Sequence, residues 1–410
     1  MTVASSPLAI DGGPRTRERP WPAWPQFDDS EARALLDTLQ SGQWWSVGGR
    51  KVPEFEEAFA RSQDARHCVC VTNGTAALEV ALRALGIGCG DEVIVPPYTF
   101  IATASSVLAV SATPVFVDVE PGSLNIDPTR IEEAITERTR AIVPVHIAGR
   151  PADMDGVLAV ARKHGLHVVE DAAQAHAAEW RGRKVGAIGD LGTFSFQASK
   201  NLNAGEGGAI VSDSDDLIDR AWSVHNVGRT RTGRWYEHHV LGGNFRMTEW
   251  QAAILLAQLA RLPEQTERRT RNARYLTGLL RGIPGIATLA DDPRVTRHAY
   301  HLYIFRYDPS GFGGRPRDEL LAALNAEGVP CSGGYVPLYR ETVFQRLAAG
   351  EGAWCRSRRP IDYPAAQCPE CERASADGVW LFQSMLLGET SDMDDIAEAI
   401  SRIQRAWSGA

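Results

Sequence analysis

Between about residues 66 and 212, short runs of β-branched and other apolar residues alternate with longer stretches of helical spacing. Seven of these runs predict strands, over 68–71, 93–95, 115–119, 141–146, 167–170, 193–197 and 209–212. Short apolar runs separated by helix-like segments predict an α/β layer whose sheet is mostly parallel. Between the first two, Leu78, Leu82 and Leu85 fall at i, i+4 and i+7 with Gly86 behind them. That spacing predicts an amphipathic helix over 75–85 that crosses back over the sheet.

Past Gln251 the pattern lengthens, predicting helical stretches over 252–262 and 267–280. Turn-like sequence over 282–292 follows, then a strand over 300–307 and helices over 317–328 and 391–407. The pattern divides the chain into an arm (1–30), a large domain (31–280) and a smaller α+β domain (281–410). The arm carries Arg19-Pro20-Trp21-Pro22-Ala23-Trp24-Pro25, whose prolines predict an extended segment.

Composition narrows the class. With 44% hydrophobic and 23% charged residues the chain reads as globular, and no apolar run approaches the roughly 20 residues of a membrane span. Residues 1–13 lack a basic start followed by an apolar core, so a cytoplasmic location is expected. A net charge of −8 argues against a general nucleic-acid binder, and Arg268-Arg269-Thr270-Arg271 reads as a solvated helix face. Most of the seven cysteines, at 68, 70, 89, 331, 355, 368 and 371, are expected to be reduced thiols. Cys368-Pro369-Glu370-Cys371 has the spacing of half a zinc or redox site with no second half, so no metal site is expected.

Candidate chemistry gathers at predicted strand ends, where open α/β sheets bind ligands. Asn73-Gly74-Thr75 opens a helix, where free backbone N–H groups suit a phosphate, although capping alone would also place these residues there. Asp171 ends an apolar run, and a buried carboxylate needs a partner. It reads either as a helix cap or as the partner of a cationic ring nitrogen. Lys200 follows Phe194-Ser195-Phe196-Gln197-Ala198-Ser199 and precedes Gly205-Glu206-Gly207-Gly208, a tight turn. A lysine that holds an aldehyde as a Schiff base, with a carboxylate that keeps a pyridine nitrogen protonated, is the equipment of a pyridoxal phosphate enzyme.

Here the sequence resembles the DegT/StrS sugar aminotransferases of the aspartate aminotransferase fold (fold type I). The resemblance spans nearly the whole chain. It rests on Thr72-Asn73-Gly74-Thr75-Ala76-Ala77-Leu78, Pro96-Pro97-Tyr98-Thr99-Phe100 and Glu170-Asp171-Ala172-Ala173-Gln174-Ala175-His176. Further support comes from Ser195-Phe196-Gln197-Ala198-Ser199-Lys200, the Gly-Glu-Gly-Gly turn and Gly243-Asn244-Phe245-Arg246-Met247-Thr248-Glu249.

The resemblance implies a seven-stranded, mostly parallel sheet and a small α+β domain, with pyridoxal 5′-phosphate as cofactor. It implies that Lys200 and Asp171 are catalytic and that Gln174 approaches the cofactor's phenolic oxygen. Phe100 is expected to stack on the ring, and Gly74, Thr75, Ala76 and Ser195 to cradle the phosphate. Asn244 is expected from the neighbouring subunit of a homodimer, and Arg246 reads either as a donor-carboxylate contact or as a structural ion pair.

The segments around Trp21, Trp44-Trp45, Trp380 and 305–309 resemble the branch that moves an amino group from glutamine or glutamate to an inosose-type cyclitol. Trp44 and Trp45 are candidates for the acceptor pocket or for a dimer seam. A 3-amino-5-hydroxybenzoate synthase is the runner-up, because that enzyme usually has His where this chain has Gln174. A nucleotide-ketosugar aminotransferase and a non-catalytic regulatory protein of the same fold are the other readings. Lys200 argues against the related 3-dehydratases, which carry His there. Gly86-Ile87-Gly88-Cys89-Gly90-Asp91 lacks the last glycine of a dinucleotide fingerprint.

Overall fold

The computed structural model describes residues 7–351, 363 and 367–409. Its centre is a seven-stranded sheet built from β1 (His67–Val71), β2 (Glu92–Val95), β3 (Thr113–Phe116), β4 (Thr139–Ile142), β5 (His167–Asp171), β6 (Leu191–Ser195) and β7 (Gly208–Ser212). The order is β1-β7-β6-β5-β4-β2-β3. β7 alone runs against its neighbours, pairing antiparallel with both β1 and β6, while the other adjacent pairs are parallel.

The strands are apolar because both faces of the sheet are covered. In β1 the period of two is visible: Val69 and Val71 enter one core cluster, and Cys68 and Cys70 enter the other. On the first face lies α2 (Gly74–Ala84), which buries Leu78 and Leu82 as its spacing predicted. On the second, α1 (Lys51–Ser62) sets Phe55 and Phe59 against Phe194 and Phe196, with ring centroids 5.0 to 5.4 Å apart in edge-on pairs.

All seven predicted strands are present, but three end earlier than the apolar runs suggest. The ladder stops at Phe116, Ile142 and Ser195, before 119, 146 and 197. The remaining residues leave the sheet as loop; Val145, for example, makes only an isolated bridge, to Asp171, and lines the cavity described below.

The two helical stretches expected over 252–262 and 267–280 are one helix, with Pro263 inside it. This helix, α4 (Glu249–Leu280), is 32 residues long. An interior proline costs about 3 kcal/mol. Buried residues on both sides, from Ala252 and Leu255 to Leu276 and Leu280, tie each half to packed neighbours and offset that cost. The reading of 268–271 as a solvated face is also corrected: Arg269 is fully buried and donates to Gln383 Oε1 from Nε at 2.9 Å. Helical periodicity turns position 269 inward, and an uncharged amide supplies its acceptor.

A third core collects Leu8, the end of α4 and residues from Ile283 to Ile403. Its sheet, with strands Ile286–Thr288, Leu302–Tyr307, Gly378–Phe382 and Cys331–Ser332 in that order, is antiparallel. The N-terminal segment lies against this region, since Arg17 pairs with Asp392 and Asp395, and Trp21 Nε1 donates to Gly328 O. Trp24 Nε1 donates to Ala198 O at 2.9 Å, two residues before Lys200.

Cys68, Cys70, Cys331, Cys368 and Cys371 are free thiols, and Cys355 lies outside the described residues. Cys371 is buried in the helix Pro369–Asp377, where its N–H caps onto Asp118 Oδ1 at 2.9 Å. No described helix is long and apolar enough to cross a membrane.

Candidate active site

Six of the seven strands point the same way, and the ends of β1, β5 and β6 open into a cavity of about 760 Å³. Gly74, Thr75, Ala76 and Phe100 line it from one side. Asp171, Gln174, Ser195 and Lys200 line it from the sheet. Residues read from four separate segments of sequence thus meet in one place.

The start of α2 is built to leave donors free. Asn73 Oδ1 accepts from Ala76 N at 2.8 Å, so the Ala76 N–H expected to meet a phosphate is already used. The N–H groups of Gly74 and Thr75 have no such partner among the described residues. First-turn N–H groups at a helix start favour an anion. Glycine at 74 is required by crowding, since a Cβ there would lie 2.7 Å from Ser195 Cβ. The same holds at Gly208, where a Cβ would meet Asn73 O at 2.4 Å. These contacts pack the end of β6 and the start of β7 against the start of α2.

Asp171 is 6% exposed at the end of β5. Thr103 Oγ1 donates to its Oδ2 at 2.8 Å and Ala173 N to its Oδ1 at 3.2 Å. Burial raises the Asp171 pKa, and these two donors and the Lys200 charge act against that rise. Lys200 is half-buried, and its Nζ makes no hydrogen bond among the described residues. Burial lowers its pKa to about 8, with the Asp171 charge pulling the other way. An amine in that range is partly neutral near physiological pH and therefore nucleophilic.

Behind this pair sits a polar frame. His146 Nδ1 accepts from Ala152 N at 3.0 Å, so its Nε2 carries the proton and donates to Glu170 Oε2 at 2.9 Å. Glu170 also accepts from the N–H groups of Gly186, Ile188 and Gly189. This fixes the backbone next to Asp171, whose own O accepts from His146 N. Gln174 is held at both ends: its Oε1 accepts from Ala148 N at 2.7 Å and its Nε2 donates to Tyr335 OH at 3.1 Å.

Four predicted residues lie outside the cavity lining. Asn244 bridges Asn226 in the backbone, and Arg246 Nη1 donates to Asn226 Oδ1 at 2.9 Å. The Arg246 guanidinium lies 5.5 Å from the Trp45 ring. No carboxylate pairs with Arg246 among the described residues. Trp44 and Trp45 are 51% and 45% exposed, against Trp250 and Trp235 respectively.

Three residues at the site were not found from sequence: His301 and Tyr335, which line the cavity, and Thr103, which bonds Asp171 from behind it. Thr103 sits one helical turn after Thr99, and that repeated hydroxyl was the only available sign. Tyr335 and His301 lie 135 and 101 residues beyond Lys200, and no local spacing ties them to the site.

A family model described as DegT/DnrJ/EryC1/StrS aminotransferase matches residues 25–401. The chain is 41% identical over 426 residues to L-glutamine:2-deoxy-scyllo-inosose aminotransferase of Streptomyces fradiae, covering 98% of each. It is 39% identical to 3-amino-5-hydroxybenzoate synthase of Amycolatopsis mediterranei, covering 93% of this chain and 96% of that one. The crystal structure of a 3-amino-5-hydroxybenzoic acid synthase superposes with a TM-score of 0.87 at 38% identity, covering 94% of this chain and 99% of the other.

Enzymes of this family work with pyridoxal phosphate, and the cavity fits that group on three counts. It has free N–H donors at a helix start for the phosphate, an unbonded lysine amine for the aldehyde, and a buried carboxylate for the ring nitrogen. The exposed face of Phe100, 54% accessible beside the cavity, is available to a planar ring. The chain belongs to the DegT/DnrJ/EryC1/StrS aminotransferase family.

Proposed function

We propose that this enzyme moves the α-amino group of glutamine to the ketone of a scyllo-inosose-type cyclitol, the step that makes an aminocyclitol for an antibiotic. The observation that carries the reading is the meeting of Lys200, Asp171, Gln174 and the free start of α2 on one cavity, in a chain 41% identical to a glutamine-dependent cyclitol aminotransferase. Bound pyridoxal phosphate supplies an electron-accepting ring, which allows an amino group and a proton to be exchanged between donor and acceptor. Lys200 Nζ holds the cofactor and then moves the proton at the donor's α-carbon. Asp171 would keep a proton on the ring nitrogen, and Gln174 Nε2, held by Tyr335, would offer a donor to the phenolic oxygen. Gly74, Thr75 and Ser195 hold the phosphate. Glutamine leaves as its 2-oxo acid, and the second half-reaction returns nitrogen to the keto-cyclitol.

The working unit in this reading is a homodimer in the cytoplasm. Trp44, Trp45, Trp235 and Tyr236 are exposed large aromatics, and Trp45 lies against both Trp235 and the Arg246 guanidinium, a surface suited to a second copy. Across it, Asn244 of each chain completes the other's phosphate site, and Arg246 receives the donor carboxylate. The division into an arm (1–30), a large domain (31–280) and a small domain (281–410) follows the end of α4 and the third core.

A second reading, 3-amino-5-hydroxybenzoate synthesis, is favoured by the structural match at TM-score 0.87. Gln174 weighs against it, because the resemblance gives that branch a histidine. The test is incubation of the cofactor-loaded protein with glutamine and a panel of keto-cyclitols, nucleotide-linked ketosugars and the aromatic synthase's substrate. Aminated cyclitol by mass spectrometry is the expected result, and product only from another panel member replaces this reading.

A further inference from the structure

His301 lines the cavity and is 7% exposed, yet nothing in the chemistry above uses it. Its hydrogen bonds fix its tautomer. Asn201 Nδ2 donates to Ala299 O at 2.7 Å, which sets the amide orientation, because a carbonyl oxygen accepts only from a donor. Asn201 therefore presents Oδ1, a pure acceptor, to His301 Nδ1 at 3.3 Å. The proton of the neutral ring must sit on Nδ1. Nε2 is left with a bare lone pair, and it makes no hydrogen bond among the described residues.

Protonation does not convert Nε2 into a donor. Burial pushes the His301 pKa well below the ordinary histidine value, and the charges of Lys200 and Arg269 and the nearby His176 push the same way. The cavity wall thus carries a fixed, uncharged acceptor.

We propose that His301 is a specificity residue whose Nε2 accepts a hydrogen bond from one hydroxyl of the acceptor cyclitol. This rests on the cyclitol reading and deepens it. A bare lone pair repels a carboxylate or phosphate and welcomes an O–H. An uncharged polyol ring bears several such groups, whereas the α-carboxylate that glutamine must present is an acceptor only. Asn201 is the positioning residue, since it holds the ring in the tautomer that reads the hydroxyl.

The test measures the two half-reactions separately in the cofactor-loaded enzyme. Loss of the cofactor's visible absorption on adding glutamine reads the donor half, and its recovery on adding scyllo-inosose or each of its monodeoxy analogues reads the acceptor half. In His301→Leu the acceptor half is expected to fall at least about tenfold, with the donor half within about twofold. His301→Gln, which restores an acceptor, is expected to recover most of the loss. The wild type is expected to lose a similar factor on one monodeoxy analogue, His301→Gln to keep most of that discrimination, and His301→Leu to lose it. An equal fall in both halves would assign the lone pair to Lys200 and overturn the proposal. So would a wild type indifferent to every missing hydroxyl. A wild type that bleaches with glutamine but accepts no keto-cyclitol overturns the cyclitol reading itself, and this inference with it.

Discussion

Thr103 and Asp171, 68 residues apart in sequence, are joined by a 2.8 Å hydrogen bond inside the protein. An ionised carboxylate only accepts, so Thr103 donates to it, and Thr99 Oγ1, 2.9 Å away, donates in turn to Thr103. The start of α3 (Ala102–Ala109) is thereby linked to the end of β5. A chain of two buried hydroxyls stabilises the charge that Asp171 needs in order to hold a ring nitrogen proton. Thr103→Val keeps the shape and removes the donor, and cofactor affinity is expected to fall about tenfold. Thr103→Ser is expected to stay within about twofold of the wild type. Equilibrium dialysis against pyridoxal phosphate reads both, and equal affinity in the Val variant would contradict the role.

Lys200 should titrate near pH 8. Its pKa is lowered by burial to about 8 from the ordinary 10.5, so the reactive neutral amine appears as pH rises through about 8. In cofactor-free protein, labelling of Lys200 by an amine-reactive reagent, mapped by mass spectrometry, is expected to reach half its maximal rate there. Asp171 acts to raise that value, so Asp171→Asn is expected to move the midpoint lower. A midpoint above 10 would contradict the burial.

Shared active sites predict rescue between defective chains. Lys200→Ala and Asn244→Ala should each be nearly inactive alone. Mixed under conditions that exchange subunits, each mixed dimer holds one intact site, and activity of about a quarter of the wild type is expected. No recovery on mixing would place Asn244 in the site of its own chain.

Glu249, 1% exposed, caps a helix it does not belong to. Its carboxylate accepts from the N–H groups of Arg50, Lys51 and Val52 at 2.6 to 2.9 Å, at the start of α1. Gly49 is forced by this, because a Cβ there would lie 2.2 Å from Glu249 Cδ. Glu249→Ala is expected to lower stability by about 2 kcal/mol in urea denaturation, by stranding three first-turn donors. A change below about 0.5 kcal/mol would contradict the cap.

The sheet was legible because its strands are apolar runs punctuated by turn residues, and so was the part of the site that sits at strand ends. Asp171 and Lys200 stand out as polar groups closing apolar runs. The path of α4 through Pro263 was not legible, since what holds it is packing from distant segments. Arg269 was misread because charge alone does not reveal a buried amide partner more than a hundred residues away. Tyr335 and His301 reach the cavity, and Thr103 reaches Asp171, only through tertiary folding, and no local spacing carries that information.

The account depends most on Lys200 as the covalent anchor of the cofactor. Borohydride reduction of the cofactor-loaded enzyme, followed by digestion and mass spectrometry, tests it directly. The predicted result is one pyridoxyl phosphate adduct per chain, on the peptide containing Lys200, and none in Lys200→Ala. An adduct on another lysine, or labelling that survives in Lys200→Ala, would contradict it.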